Sequence, residues 1–127
     1  MTRINCVPIE QLTRQHLVAE YRELPRIFGI VRGLVQRGIT CPKHADIPPT
    51  YRMGPGHMKF FIDKLGWLVQ RQKMLILEMQ RRGYEPQHTD PESLLEGIPV
   101  AFHGSWSPTN TDIEISWARI RERLNGN

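Results

Sequence analysis

No apolar run in this sequence approaches the roughly 20 residues that a bilayer-spanning helix needs, which argues against a membrane protein or a membrane partner. The first stretch, MTRINCVPIEQLTRQH, is polar and has no apolar signal core. Export is not expected, and the cytoplasm is the expected compartment. Cysteine is scarce. Cys6 and Cys41 have no metal-ligand spacing and are read as reduced thiols, since nothing requires a disulfide between them. The five histidines, at 16, 44, 57, 88 and 103, lack an H-x-x-x-H pattern, so no metal or other cofactor is expected. Period-two alternation, internal repeats and low-complexity tracts are also missing.

What remains is a chain of 127 residues, 39% hydrophobic, long enough for one domain with its own core over residues 1–127. Seventeen Lys and Arg against thirteen Asp and Glu give a formal charge of +4. That sign suits a nucleic-acid ligand, although only clustering on one face would make it specific.

The spacing predicts an all-α fold: a compact single domain of three main helices with long Pro-rich loops. The first helix runs from about Ile9 to about Gln36 on the stripe Leu17, Tyr21, Leu24, Phe28, Val31 and Val35. Pro25 should kink or break it near Tyr21 to Leu24, and Gly38 offers a stop. The second follows Gly54-Pro55-Gly56 and ends at Gly83, with Met58, Phe61, Leu65, Leu68, Gln72, Leu75 and Met79 as its stripe. His57 falls just inside it. Lys64, Arg71, Lys73, Arg81 and Arg82 lie largely off that stripe. The third begins at Thr111, where Thr111-Asp112-Ile113-Glu114 fits a capping box, and buries Ile113, Trp117, Ile120 and Leu124.

Three features bear on chemistry. Removal of Met1 before a small residue leaves the α-amine on Thr2. An α-amine titrates near 7.7–8.0, about two and a half units below lysine, so a useful fraction is neutral and able to form a Schiff base. Nearby cations lower its pKa further, and Arg3 is adjacent. The block from His16 to Arg26 sets His16, Glu20 and Glu23 on one helix face, with Arg22 and Arg26 close by. It reads either as a solvated salt-bridge network or as a general base within a phosphate-binding patch. Of the three tryptophans, Trp117 sits in a stripe, while Trp106 lies in a Pro-flanked loop suited to an exposed, stacking role.

These residues resemble a known family. Thr2-Arg3-Ile4-Asn5, Gln15-His16-Leu17 and Ala19-Glu20-Tyr21-Arg22-Glu23-Leu24-Pro25-Arg26 are similar to the phage-type pyrimidine-dimer DNA glycosylases, or phage-type endonucleases V. Gly56-His57, Phe60-Phe61, Asp63-Lys64-Leu65, Arg71-Gln72, Arg82-Gly83, Ile115-Ser116 and Ala118-Arg119 continue the match in order. The resemblance implies an all-α DNA glycosylase with abasic-site lyase activity. It implies Thr2 as the nucleophile on C1′ and Glu23 as the essential carboxylate. Arg3, Arg22 and Arg26 would hold phosphates, and Gln15, His16, Gln72, Arg119 and Arg123 would face DNA. The implied partner is damaged double-stranded DNA, bound by a monomer. The family's aromatic, basic tail has no counterpart, since nothing aromatic follows Trp117. Trp106 or the Glu85 to Pro108 loop is therefore the expected substitute wedge. The alternatives are a glycosylase and lyase for another lesion or modified base, and a non-catalytic DNA-binding module.

Overall fold

The structure, a computed structural model, describes residues 3–125. Thr2, the expected nucleophile, lies outside the described residues. The fold is all-α, and the expected first helix is divided in two: α1 (Arg14–Glu23) and α2 (Arg26–Gln36). Ile9–Gln11 form a separate 3-10 turn, and Leu12 and Thr13 are extended. The Thr13 hydroxyl then caps α1, accepting the His16 amide at 3.2 Å.

The break at Leu24–Pro25 follows from the missing proline amide hydrogen, which leaves the Tyr21 carbonyl without its helical donor. Gln72 supplies the replacement, its amide nitrogen donating to that carbonyl at 2.9 Å. The polar exception in the second stripe is thus explained: it satisfies a buried backbone group that Pro25 orphans.

The long helix, α3 (Leu65–Arg81), begins eight residues later than the sequence suggests. Residues 55–58 turn, Lys59–Phe61 form a 3-10 turn, and His57 precedes the helix rather than opening it. Phe60, Phe61 and Ile62 are all buried, and three consecutive buried side chains do not fit one face of a helix that has a solvated side. The other end is as expected. Gly83 takes φ +90°, with its amide on the Gln80 carbonyl at 3.0 Å and the Tyr84 amide on the Met79 carbonyl at 2.8 Å.

The last helix, α4 (Asn110–Asn125), is capped two residues upstream of the expected box. The Thr109 hydroxyl accepts the Asp112 amide at 3.1 Å, and the Asp112 carboxylate accepts the Thr109 amide at 2.9 Å. Its buried positions are Ser116 and Ile120, whereas Leu124 is exposed.

Helix α1 packs against α3 around Leu17, Leu24, Phe28, Leu65, Leu68 and Leu75, all fully buried. Each such side chain contributes about 1.5–3 kcal/mol. Through this core runs the segment Ile4–Val7, also buried. The loop before α4 docks closely on the start of α3: a Cβ on Gly104 would stand 2.2 Å from the Asp63 carbonyl oxygen. The segment after α3 is held as well. Tyr21 bridges to His88, and Arg32 of α2 donates to the Leu94 and Glu96 carbonyls.

Candidate functional site

The amino-terminal segment has no neighbouring strand, so its backbone groups find side chains instead. The Ile4 amide donates to His57 Nε2 at 2.8 Å, and the Ile4 carbonyl accepts the Tyr51 hydroxyl at 2.9 Å. The Cys6 amide donates to the Ser116 hydroxyl at 3.2 Å, and the Val7 carbonyl accepts Arg71 Nη1 at 2.7 Å. Asn5 donates its side-chain amide to Glu20 Oε1 at 2.9 Å. Five side chains from the 51–57 loop, α1, α3 and α4 thereby hold one short stretch of chain.

Glu20 is the hub. It is 1% exposed and pairs with Arg71, with Nε to Oε2 at 2.6 Å. Glu20 therefore takes the salt-bridge role, but inside the core rather than on a solvated face. Arg71 likewise belongs to the buried side of α3, not off the stripe. The sequence carried a signal for both. Glu20 lies three residues after Leu17 and four before Leu24, and Arg71 lies the same way between Leu68 and Leu75.

One turn onward, Glu23 faces a different setting. A cavity of about 90 Å³ lies between the amino-terminal segment, α1 and α4. Of the sequence-predicted residues, Arg3, Gln15, His16, Glu23, Arg119 and Arg123 line it together. Asn5, Ala19, Glu20 and Ile120 complete the lining and were not among the predicted site residues. Glu23 Oε2 is buried and has no hydrogen-bond partner among the described residues. Burial, then Arg119 and Arg123, push the Arg3 guanidinium below its ordinary pKa, and Glu23 opposes them. Burial and then Arg123 lower the His16 imidazole, with Glu20 acting against the shift. Several cations therefore line the same cavity as a carboxylate oxygen that has no partner among the described residues, a combination chemically able to receive an anionic group.

Other predicted residues lie elsewhere. Arg22 is exposed beside Arg14, Gln15, Val18 and Ala19 in an adjoining groove, and Arg26 is exposed at the start of α2. Gln72 is buried, its amide on the Tyr21 carbonyl. Trp106 is not an exposed wedge. It stacks on Tyr51 at 5.5 Å and meets Trp67 edge-on at 4.8 Å, within a cluster that includes Phe60 and Phe61. Apolar burial between α3 and the 51–61 loop outweighs the loop context that suggested exposure. Cys6 is buried and Cys41 half-buried, both free. Among the described residues no group of three or more His, Cys, Asp or Glu could hold a metal ion, and no helix is long and apolar enough to cross a membrane.

An all-α fold with carboxylates lining a cavity shared with three arginines has the makings of a nucleic-acid-processing enzyme. The family model described as pyrimidine dimer DNA glycosylase matches residues 1–92, and the chain belongs to that family. The match takes in the amino-terminal segment, α1, α2 and α3. Its family role is that of a DNA glycosylase, with DNA as the substrate.

Proposed function

We propose that the protein is a bifunctional DNA glycosylase and abasic-site lyase acting on pyrimidine dimers, with the α-amine of Thr2 as nucleophile and Glu23 as the acid–base group. The observation that supports this most is the buried Oε2 of Glu23, without a partner among the described residues, in a cavity shared with Arg3. Thr2 is one residue before Arg3, and one residue spans at most about 3.6 Å.

In the first step the neutral amine attacks C1′ and the glycosidic bond breaks, the base leaving with the bonding pair and taking up a proton. The C1′–O4′ bond then opens, O4′ gains a proton, and a protonated imine joins Thr2 to the sugar. The imine acidifies the C2′ hydrogens. Glu23 removes one, and β-elimination expels the 3′ phosphate. Arg3, Arg119 and Arg123 face the departing and flanking phosphates, and His16 and Gln15 lie at the cavity rim. Arg22 and Arg26 extend the basic surface along α1 and α2. Phosphate contacts of this kind release counterions and offset the distortion needed to expose C1′. The chain acts as one domain and as a monomer. In support, residues from both its early and late parts line the cavity within a single copy.

The test is borohydride trapping on an abasic duplex with protein lacking Met1. A covalent complex through Thr2 is expected, and its absence would sink the enzyme reading in favour of a DNA-binding module. Glu23→Gln should keep its affinity for damaged DNA and lose about 100-fold or more in strand cleavage. Normal cleavage by that variant would remove Glu23 from its role. Strand breaks confined to a different lesion in a panel of defined duplexes would correct the substrate and leave the chemistry.

A further inference from the structure

We propose that His57, with Ser116, is a positioning residue that fixes where the amino-terminal nucleophile can reach. The inference rests on the Schiff-base reading above. His57 is 1% exposed and outside the cavity lining, so it has no access to substrate. Its Nδ1 lies 2.7 Å from the Arg52 carbonyl and can only donate there. Nε2 is then a bare acceptor, and it takes the Ile4 amide at 2.8 Å. The tautomer is thus set by one backbone group and used by another. Burial lowers the imidazole below its ordinary pKa against the pull of the Arg52 carbonyl, and Arg3 and Arg119 add to the shift. The ring is wedged edge-on against Tyr51 and Phe61, so the acceptor cannot swing away.

Ser116 repeats the device further along. Its hydroxyl accepts the Cys6 amide and donates toward Asn5 Oδ1 at 3.4 Å. Between these anchors, Ile4 and Cys6 each give their amide hydrogen to a fixed side chain. Only Thr2 and Arg3 precede the first anchor. The reach of the amine is then a matter of two residues' dihedral angles measured from a rigid origin. Misplacement by about 1 Å at a reacting centre lowers rates by on the order of 100-fold. Holding a nucleophile on a chain terminus needs such an origin, because termini are otherwise poorly ordered.

The experiment compares single-turnover trapping by borohydride on an abasic duplex, at saturating protein lacking Met1, with the dissociation constant for the same duplex. His57→Leu removes the acceptor. Its trapping rate should fall about tenfold while affinity stays within about twofold. His57→Gln offers a carbonyl oxygen to the Ile4 amide and should recover to within about threefold of wild type. A wild-type rate for His57→Leu, or an equal loss in both variants, overturns the proposal. Affinity falling in step with rate also overturns it, since that is the mark of general damage. If circular dichroism shows His57→Leu unfolded, Ser116→Ala carries the same comparison: slower trapping at unchanged affinity is expected, and an unchanged rate overturns the proposal. Wild-type protein that never traps refutes the underlying Schiff-base reading, and this positioning role with it. Normal wild-type trapping with indifferent variants refutes the positioning role alone.

Discussion

Glu20 and Glu23 stand one turn apart on the same helix and share a cavity wall, yet their surroundings are opposite. Around Glu20 the hydrogen bonding is closed: Arg71, Asn5 and the chain they hold take both of its oxygens. Around Glu23 one oxygen has no partner among the described residues while three arginines line the same space. The first region is organised for shape, and the second leaves the acceptor capacity that the proposed role of Glu23 requires. The difference teaches that a carboxylate's role is set by what its neighbours leave unsatisfied, not by its helix or its burial alone.

Removing Glu20 should have the largest effect on folding. Glu20→Ala leaves Arg71 charged and uncompensated in the core, and urea unfolding should show a loss of about 3–5 kcal/mol. Glu23→Gln, assayed the same way, should change stability by less than about 1 kcal/mol, because it breaks none of the hydrogen bonds of the closed region. Equal losses from the two would erase the contrast. Replacing both partners, Glu20→Leu with Arg71→Met, should recover most of the lost stability, since paired removal leaves no orphan charge.

A smaller effect is expected at the rim. Arg123 is exposed and lines the open region. Arg123→Gln should leave the unfolding curve unchanged and weaken DNA binding several-fold. The slope of log K against log salt should fall by about 0.9 if one phosphate contact is lost.

The smallest effect is on pH dependence, and it separates the regions through their histidines. Both His57 and His16 are held below the ordinary value of 6.5 in the folded protein. Folding therefore favours the neutral rings. That stabilisation is complete above about pH 6.5 and is lost as the pH falls through the lower folded values. His57 is fully buried whereas His16 is half-buried, so His57→Gln should flatten the acid limb of a stability titration more than His16→Gln. The reverse order would place the proton-sensitive contact in the open region.

Much of this was legible in the sequence. Helix periodicity gave the all-α class, Pro25 the break and Gly83 the stop, because each is a local backbone property. The resemblance brought Arg3, Glu23 and the arginines of α1 and α4 into view together, and the structure places Arg3, Glu23, Arg119 and Arg123 around one cavity. What escaped was non-local. The start of α3 depends on where Phe60, Phe61 and Ile62 are buried, and the placement of Trp106 depends on a cluster drawn from distant segments. The clamp on Ile4 joins residues 53 apart, and no short window contains both. Asn5 and His57 looked ordinary because their roles exist only after the chain closes.

That closure has a consequence for the order of events in folding. The Ser116 contacts to Cys6 and Asn5 span 110 and 111 positions of sequence. Linking such distant points is entropically unfavourable and tends to come late, after local helices have formed. The amino-terminal stretch is the first to leave the ribosome, but it must wait for α4 before it is seated. Until then Arg119 and Arg123 of α4 are not beside Arg3 and Glu23. The cavity between the amino-terminal segment, α1 and α4 is thus among the last parts of the molecule to come into being, so on the proposed function the chemistry would wait for a finished chain.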